Sequence, residues 1–188
     1  MLCALVWRLA PSLPQLVNCL GTGIYIDDDD HDLLKHVTDI QVHRAHADPR
    51  AATIEFFFSP NDYISDASLK KEYKLSPDAS PLGDKFEFHL HTVPQKTAVS
   101  WKSDAKNLAK LKPTVDPVPT NGAQNGDDDD NDDDPLAHFE PGSFFSSLFD
   151  STSPRIAGVL GETIVDELFQ NAIAFYLNNA AEDFFPEE

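Results

Sequence analysis

ATIEFFFSPND, residues 52–62, is the stretch on which the fold depends. In an extended chain Ile54, Phe56 and Phe58 share one face and Glu55 and Phe57 the other, and Pro60, Asn61 and Asp62 end the run in a turn. A strand with so apolar a face must belong to a sheet that packs on something. The next run, SLKKEYKL (68–75), alternates in the same way, with Leu69, Tyr73 and Leu75 read as inward and Lys70, Glu72 and Lys74 as outward. Upstream, from Val37, Ile40 and Val42 alternate with Asp39, Gln41 and His43 and also read as a strand. Downstream, FEFHLH (86–91) reads likewise, with Phe86, Phe88 and Leu90 against Glu87, His89 and His91, and a weaker extended run follows at Val99 and Trp101. Short turns and one polar face per strand predict an antiparallel meander whose apolar face is covered by other elements.

Three segments can supply that cover. Asp27 to Asp30 with Asp32 suit the positive end of a helix dipole, and Leu33 and Leu34 give such a helix its buried side. In SFFSSLFD (143–150), Phe144 and Leu148, and Phe145 and Phe149, stand at helical i, i+4 spacing and form an apolar face that has to dock on a core. Ser153 and Pro154 read as a helix start. The helix continues through IAGVLGETIVDELFQNAIAFYLNNA (156–180). Ile164, Leu168, Ala172 and Phe175 make one apolar stripe of it, Val165, Phe169, Ile173 and Tyr176 another, so more than one side is buried.

Charge is distributed very unevenly along the 188 residues, whose net charge is -18. Residues 1–112 hold 15 acids and 13 bases; residues 113–188 hold 17 acids and one base, Arg155. Seven aspartates fall between 127 and 134, just before the aromatic block, in a proline- and glycine-rich loop of about 113–142. Like charges at that density repel one another and stay in water. Alone, such a run can merely keep a linker soluble. Pinned to a globular body, it presents a negative field that excludes nucleic acid and anionic membrane as direct ligands and favours a basic protein.

Other chemistry finds little support. Cys3 and Cys19 stand in no metal or redox spacing, which points to a reducing compartment. Residues 1–26 are an atypical apolar, acid-free segment. Arg8, Pro11 and Pro14 interrupt it, so it is expected to be neither a secretory leader nor a membrane span. The pairs His89/His91 and His43/His46 lack a third ligand in zinc spacing, and the EF-hand-like count from Asp129 to Glu140 has Asp134 where glycine is required. No phosphate loop or nucleophile elbow appears. No metal, cofactor or enzymatic activity is expected.

The order of several motifs resembles the nucleosome assembly protein (NAP/SET) family of histone chaperones. The matching stretches are DLLKHVTDIQV (32–42), ATIEFFFSPNDYI (52–64) with SLKKEYKL, VSWKSDAKNL (99–108), an acidic stretch, SFFSSLFD, and LGETIVDELFQNAIAFYLNNA (160–180), spanning about residues 27–184. The resemblance implies one domain over 27–188 of α+β class, an antiparallel four-stranded sheet covered by helices, with an acidic surface that holds core histones. It implies a nuclear protein with cytoplasmic shuttling that assists nucleosome assembly without enzymatic chemistry. Histone-binding candidates are Asp127, Asp128, Asp129, Asp130, Asp132, Asp133 and Asp134, followed by Glu140, Asp150, Glu182, Asp183, Glu187 and Glu188; Phe144, Phe145 and Phe149 are assigned to the scaffold. Two departures stand out. The long helix that makes the family's homodimer has no counterpart in residues 1–26, which puts the dimer in doubt here, and the acidic tail is cut to Glu187 and Glu188. A shortened relative repurposed as an interaction module is the alternative reading.

Overall fold

Carboxylates in a first helical turn offset the unpaired N–H groups there, and Asp28, Asp29 and Asp30 open α1 (Asp28–Leu34) in this way. The computed structural model describes residues 26, 28–44, 48–79, 86–115 and 142–168. Leu33 and Leu34 are buried as their positions predict. The chain then runs through β1 (Val37–Arg44), β2 (Ala52–Phe58) and β3 (Ser68–Leu75), a short α2 (Phe88–His91), β4 (Thr92–Pro94) and α3 (Leu108–Leu111). The strands form one antiparallel sheet in the order β1-β2-β3-β4.

Register sets the core face. Ile40 faces Phe56, which faces Leu69, and Val42 faces Ile54, so apolar residues line up across the sheet. The Pro60-Asn61 turn is locked by Asn61, whose Oδ1 accepts the amides of Tyr63 and Ile64, both at 2.9 Å. Phe144, Phe145, Leu148 and Phe149 pack under β2 as a helical block that widens to a π-type turn at Ser146–Asp150. Phe56 meets Phe144 and Phe149 edge-on at 6.3 and 5.5 Å, and Trp101 meets Phe145 at 6.1 Å. Each such ring pair adds about 0.5–1.5 kcal/mol beyond the area it buries. A second helical stretch, Pro154–Gly158, α4 (Val159–Glu162) and Thr163–Leu168, covers the β3–β4 side. There the Tyr73 hydroxyl donates to the Ala157 carbonyl at 2.8 Å. Gly161 permits that approach, because a Cβ at this position would overlap the Tyr73 ring.

Three expectations need correction. FEFHLH is not a strand: Phe88–His91 is a helical turn with Phe88 buried and Leu90 60% exposed, and extended pairing starts only at Thr92. The cause is a long-range contact, since Glu162 takes the Phe88 amide on Oε1 at 3.0 Å and places Oε2 2.6 Å from His89 Nδ1. Val99 and Trp101 are only partly buried against the core, and the run contributes a single bridge, Ile64 to Trp101. On β3 the third inward residue is Lys71, 0% exposed, while Leu75 at the strand end is half-buried. Lys71 is accommodated because its Nζ donates to the Ser151 carbonyl at 2.7 Å. The expected helix start at Ser153 and Pro154 is met: Ser153 occupies the cap position before Pro154, and its carbonyl accepts the amides of Ile156 and Gly158, while its side chain makes no cap hydrogen bond. Of the two helical stripes, Ile164 and Val165 are buried, and the positions from Leu168 onward lie outside the described side chains.

Candidate functional site

The seven aspartates 127–134 and Glu140, Glu182, Asp183, Glu187 and Glu188 lie outside the described residues. What the structure fixes is the place from which the acidic segment springs. Residues 116–141 carry nine acids and no lysine or arginine, and the described chain stops at Val115 and resumes at Gly142. Those two ends are stitched together. Thr114 Oγ1 lies 2.7 Å from the hydroxyls of both Ser146 and Ser147, Ser143 N–H donates to the Lys112 carbonyl at 2.9 Å, and Ser146 Oγ reaches the same carbonyl at 2.9 Å. A side chain at Gly142 would collide with the Thr114 amide, so glycine allows the two strands of chain to touch.

α1 completes this clamp from the other side. Asp30, 0% exposed, accepts the Ser143 hydroxyl at 2.5 Å and the Phe144 amide at 2.8 Å, which caps the aromatic block and ties it to α1. The residues beside it face water. Asp28 and Asp29 are exposed at the helix start, with Asp29 Oδ2 3.2 Å from Lys112 Nζ. Asp32 pairs with Lys35 at 2.7 Å, and that hydrogen bond holds its carboxyl below the usual range. The acidic segment is therefore rooted next to two further outward carboxylates. Sequence reasoning read this aspartate run as a helix opener and missed both roles. The signal was present for one of them, because Asp30 lies three and four residues before Leu33 and Leu34 and so shares their buried face.

Asp150, the one described acid among the predicted contacts, ends the aromatic block and forms an ion pair with Lys96 at 2.6 Å, so its charge is offset locally. Phe144, Phe145 and Phe149 are fully buried and touch no solvent. His89 and His91 stand on a helical turn, and among the described residues no group of three or more His, Cys, Asp or Glu side chains is placed to hold a metal ion. No helix among those residues is long and apolar enough to cross a membrane. Burial pushes the Lys71 ammonium down to about 8, partly opposed by the Asp150 carboxylate, and pushes the Tyr73 phenol up. Burial also raises Asp166, against the Arg44 guanidinium 3.5 Å away. None of these groups adjoins the clamp.

Comparison with known proteins agrees with this architecture. The sequence model of the family described as Nucleosome assembly protein (NAP) matches residues 14–155. Nucleosome assembly protein 1-like 1 of Xenopus tropicalis is 35% identical over 88 residues, 44% of this chain and 21% of that protein. Human Protein SETSIP is 24% identical over 164 residues, 87% of this chain and 45% of its own length. The chain thus spans less than half the length of the curated relatives it matches. The crystal structure of a Ccp1 mutant superposes with a TM-score of 0.56 at 20% identity, covering 93% of this chain and 79% of that one, a likeness of fold.

Proposed function

Because the chain belongs to the nucleosome assembly protein family, we propose that it is a non-enzymatic histone chaperone whose carboxylates hold core histones and hand them to DNA. The observation that carries this reading is the clamp: the segment 116–141, with nine acids and no lysine or arginine in its sequence, lies between two flanks that the structure holds together, beside the exposed carboxylates of Asp28 and Asp29. Such a field attracts lysine- and arginine-rich surfaces and repels phosphate. Asp127, Asp128, Asp129, Asp130, Asp132, Asp133 and Asp134 make the main contacts, with Glu140, Glu182, Asp183, Glu187 and Glu188 adding to the field and Asp150 joining them when a histone cation displaces Lys96 from it. Phe144, Phe145 and Phe149 hold the platform. Residues 27–188 act as one chaperone domain, and the working compartment is the nucleus, with cytoplasmic shuttling.

In this mechanism the carboxylates compete with DNA phosphates for the same cationic side chains. Histones bound off DNA are kept from nonspecific aggregation, and they leave when DNA offers the larger number of ion pairs. Exposed ion pairs are screened over about 8 Å at physiological salt, so affinity falls steeply as salt rises. The test is a titration of the full chain with core histones at low and moderate salt, with mass followed by light scattering. Saturable, salt-sensitive binding is expected, and replacing the seven aspartates by asparagine should weaken it at least about tenfold with an unchanged circular dichroism spectrum. Equal affinity in the substituted chain would remove the segment from the mechanism.

A further inference from the structure

Leu111 and Val115 are two of the five large apolar side chains that stand exposed among the described residues, at 55% and 46%; the other three, Leu90, Val93 and Val159, belong to α2, β4 and α4. Leu111 ends α3, whose Leu108 is buried. Past the helix, exposure alternates along the chain: Pro113 and Val115 are exposed like Leu111, and Lys112 and Thr114 between them are half-buried. The inward positions are fastened. Thr114 Oγ1 is held 2.7 Å from the Ser146 and Ser147 hydroxyls, the Lys112 carbonyl accepts the Ser143 amide at 2.9 Å, and the Lys112 ammonium lies 3.2 Å from Asp29 Oδ2. The outward positions form a row of three apolar residues, which the fixed φ of Pro113 stiffens. A row held by bonds on its other side loses little conformational entropy on contact.

The charges around the row say what can cover it. Asp29 binds Lys112, so the exposed start of α1, Asp28 and Asp29, stands beside it. In sequence, Val115 is followed by Asp116, the first of the nine acids of 116–141. The nearest lysines of the chain are engaged, Lys110 by Asp104 at 3.0 Å and Lys112 by Asp29. A nucleic acid or an acidic protein would be repelled here. A neutral apolar partner would take water from the carboxylates without supplying a counter-charge. Three side chains also carry too little area to hold any partner unaided. What fits is a basic protein surface with an apolar side chain set among its cations.

We infer that Leu111, Pro113 and Val115 are an apolar anchor within the histone-binding surface, covered by an apolar side chain that stands among lysines and arginines on a core histone, a role that rests on the chaperone function proposed above and adds a second kind of contact to it. The two kinds divide the work. Carboxylates draw in any basic surface, and salt screens that attraction. Apolar contact does not depend on that screening, and it forms only where the partner has an apolar side chain at the matching place. The row therefore selects among basic surfaces that the acids alone would treat alike. A polymer that carries charge only binds through the acids and gains nothing from the row.

The test compares the full chain with its Leu111→Ser, Val115→Ser double variant, titrated with core histones and with poly-lysine at several salt concentrations. Both positions are exposed, so the circular dichroism spectrum should not change. Histone affinity should fall about tenfold, by the same factor at every salt concentration, and the heat-capacity change of binding should become less negative. Poly-lysine should bind both chains equally. Leu111→Met with Val115→Ile keeps the row apolar and should bind histones as the parent does. Equal histone affinity in parent and double variant overturns the inference and leaves the chaperone function standing, whereas a parent that binds no histone ends both. Poly-lysine affinity that drops as far as histone affinity would mean that the substitutions act through the acidic field. A parent mass in light scattering that rises with concentration, and does so less in the double variant, would give the row to a second copy; either result also overturns the inference.

Discussion

Lys71 gives the sharpest test of the packing, because a charged amine sits at an inward position of β3 where every neighbour in register is apolar. Burial lowers its pKa from 10.5 to about 8. That drop corresponds to a ceiling of about 3 kcal/mol held against folding at pH 7, when both folded and unfolded chains carry the proton. The sign is opposite to that of a salt-bridged lysine. Between pH 8 and 10.5 the unfolded chain binds more protons than the folded one, so this residue's contribution to stability rises with pH and the penalty vanishes above 10.5. Lys71→Met keeps the volume and removes the charge, but it takes the 2.7 Å donor away from the Ser151 carbonyl. A carbonyl left without a partner costs about 1–3 kcal/mol, so the net effect at pH 7 lies between neutrality and a gain of about 2 kcal/mol. The decisive reading is the difference between the two chains. Urea denaturation from pH 7 to 10.5 should show the parent gaining on Lys71→Met by up to about 3 kcal/mol. A difference that stays flat with pH would mean that the ammonium is not desolvated, and the account of β3 would fail.

Other consequences are equally direct. Asp30→Ala should cost about 3 kcal/mol in chemical denaturation, since it strands the Ser143 hydroxyl and the Phe144 amide in a buried site, and Asp30→Asn should cost less because one acceptor survives. Asp28→Asn with Asp29→Asn should leave stability within about 0.5 kcal/mol. The same pair should lower histone affinity and flatten its salt dependence, read in the same titration. Gly161→Ala should lose about 1–3 kcal/mol by forcing the last helical stretch off the Tyr73 ring, measurable as a lower Tm.

The parts of the fold that could be read from sequence are those written in a binary pattern. Ile54, Phe56 and Phe58 named β2 and its core face, Leu33 and Leu34 named the buried side of α1, and the phenylalanines of 144–149 named the block that docks beneath the sheet. Three of the failures share one cause, a distant partner that overrides the local reading. FEFHLH has a strand's pattern, but Glu162, more than seventy residues away, captures the Phe88 amide and closes a helical turn. Lys71 has an outward residue's chemistry, but the Ser151 carbonyl gives its ammonium a place inside. Asp30 reads as one aspartate of a helix opener until Ser143 and Phe144 are brought to it across 113 and 114 residues. The candidate binding residues were legible as charge, and the structure adds where that charge is rooted.

The pairing of Thr114 with Ser146 and Ser147 has a consequence for how such a protein can change over time. Between two anchors held together in this way, a chain that made no other contact would enter folding stability only through the entropy of closing a loop, which grows by about 0.6 kcal/mol for each doubling of length. Aspartates can therefore be gained, lost or repeated between these anchors at almost no thermodynamic cost to the sheet beneath. Stability and charge dose become separate inheritable variables, one written in the serine–threonine stitch and the aromatic block, the other in a stretch whose length selection can adjust freely.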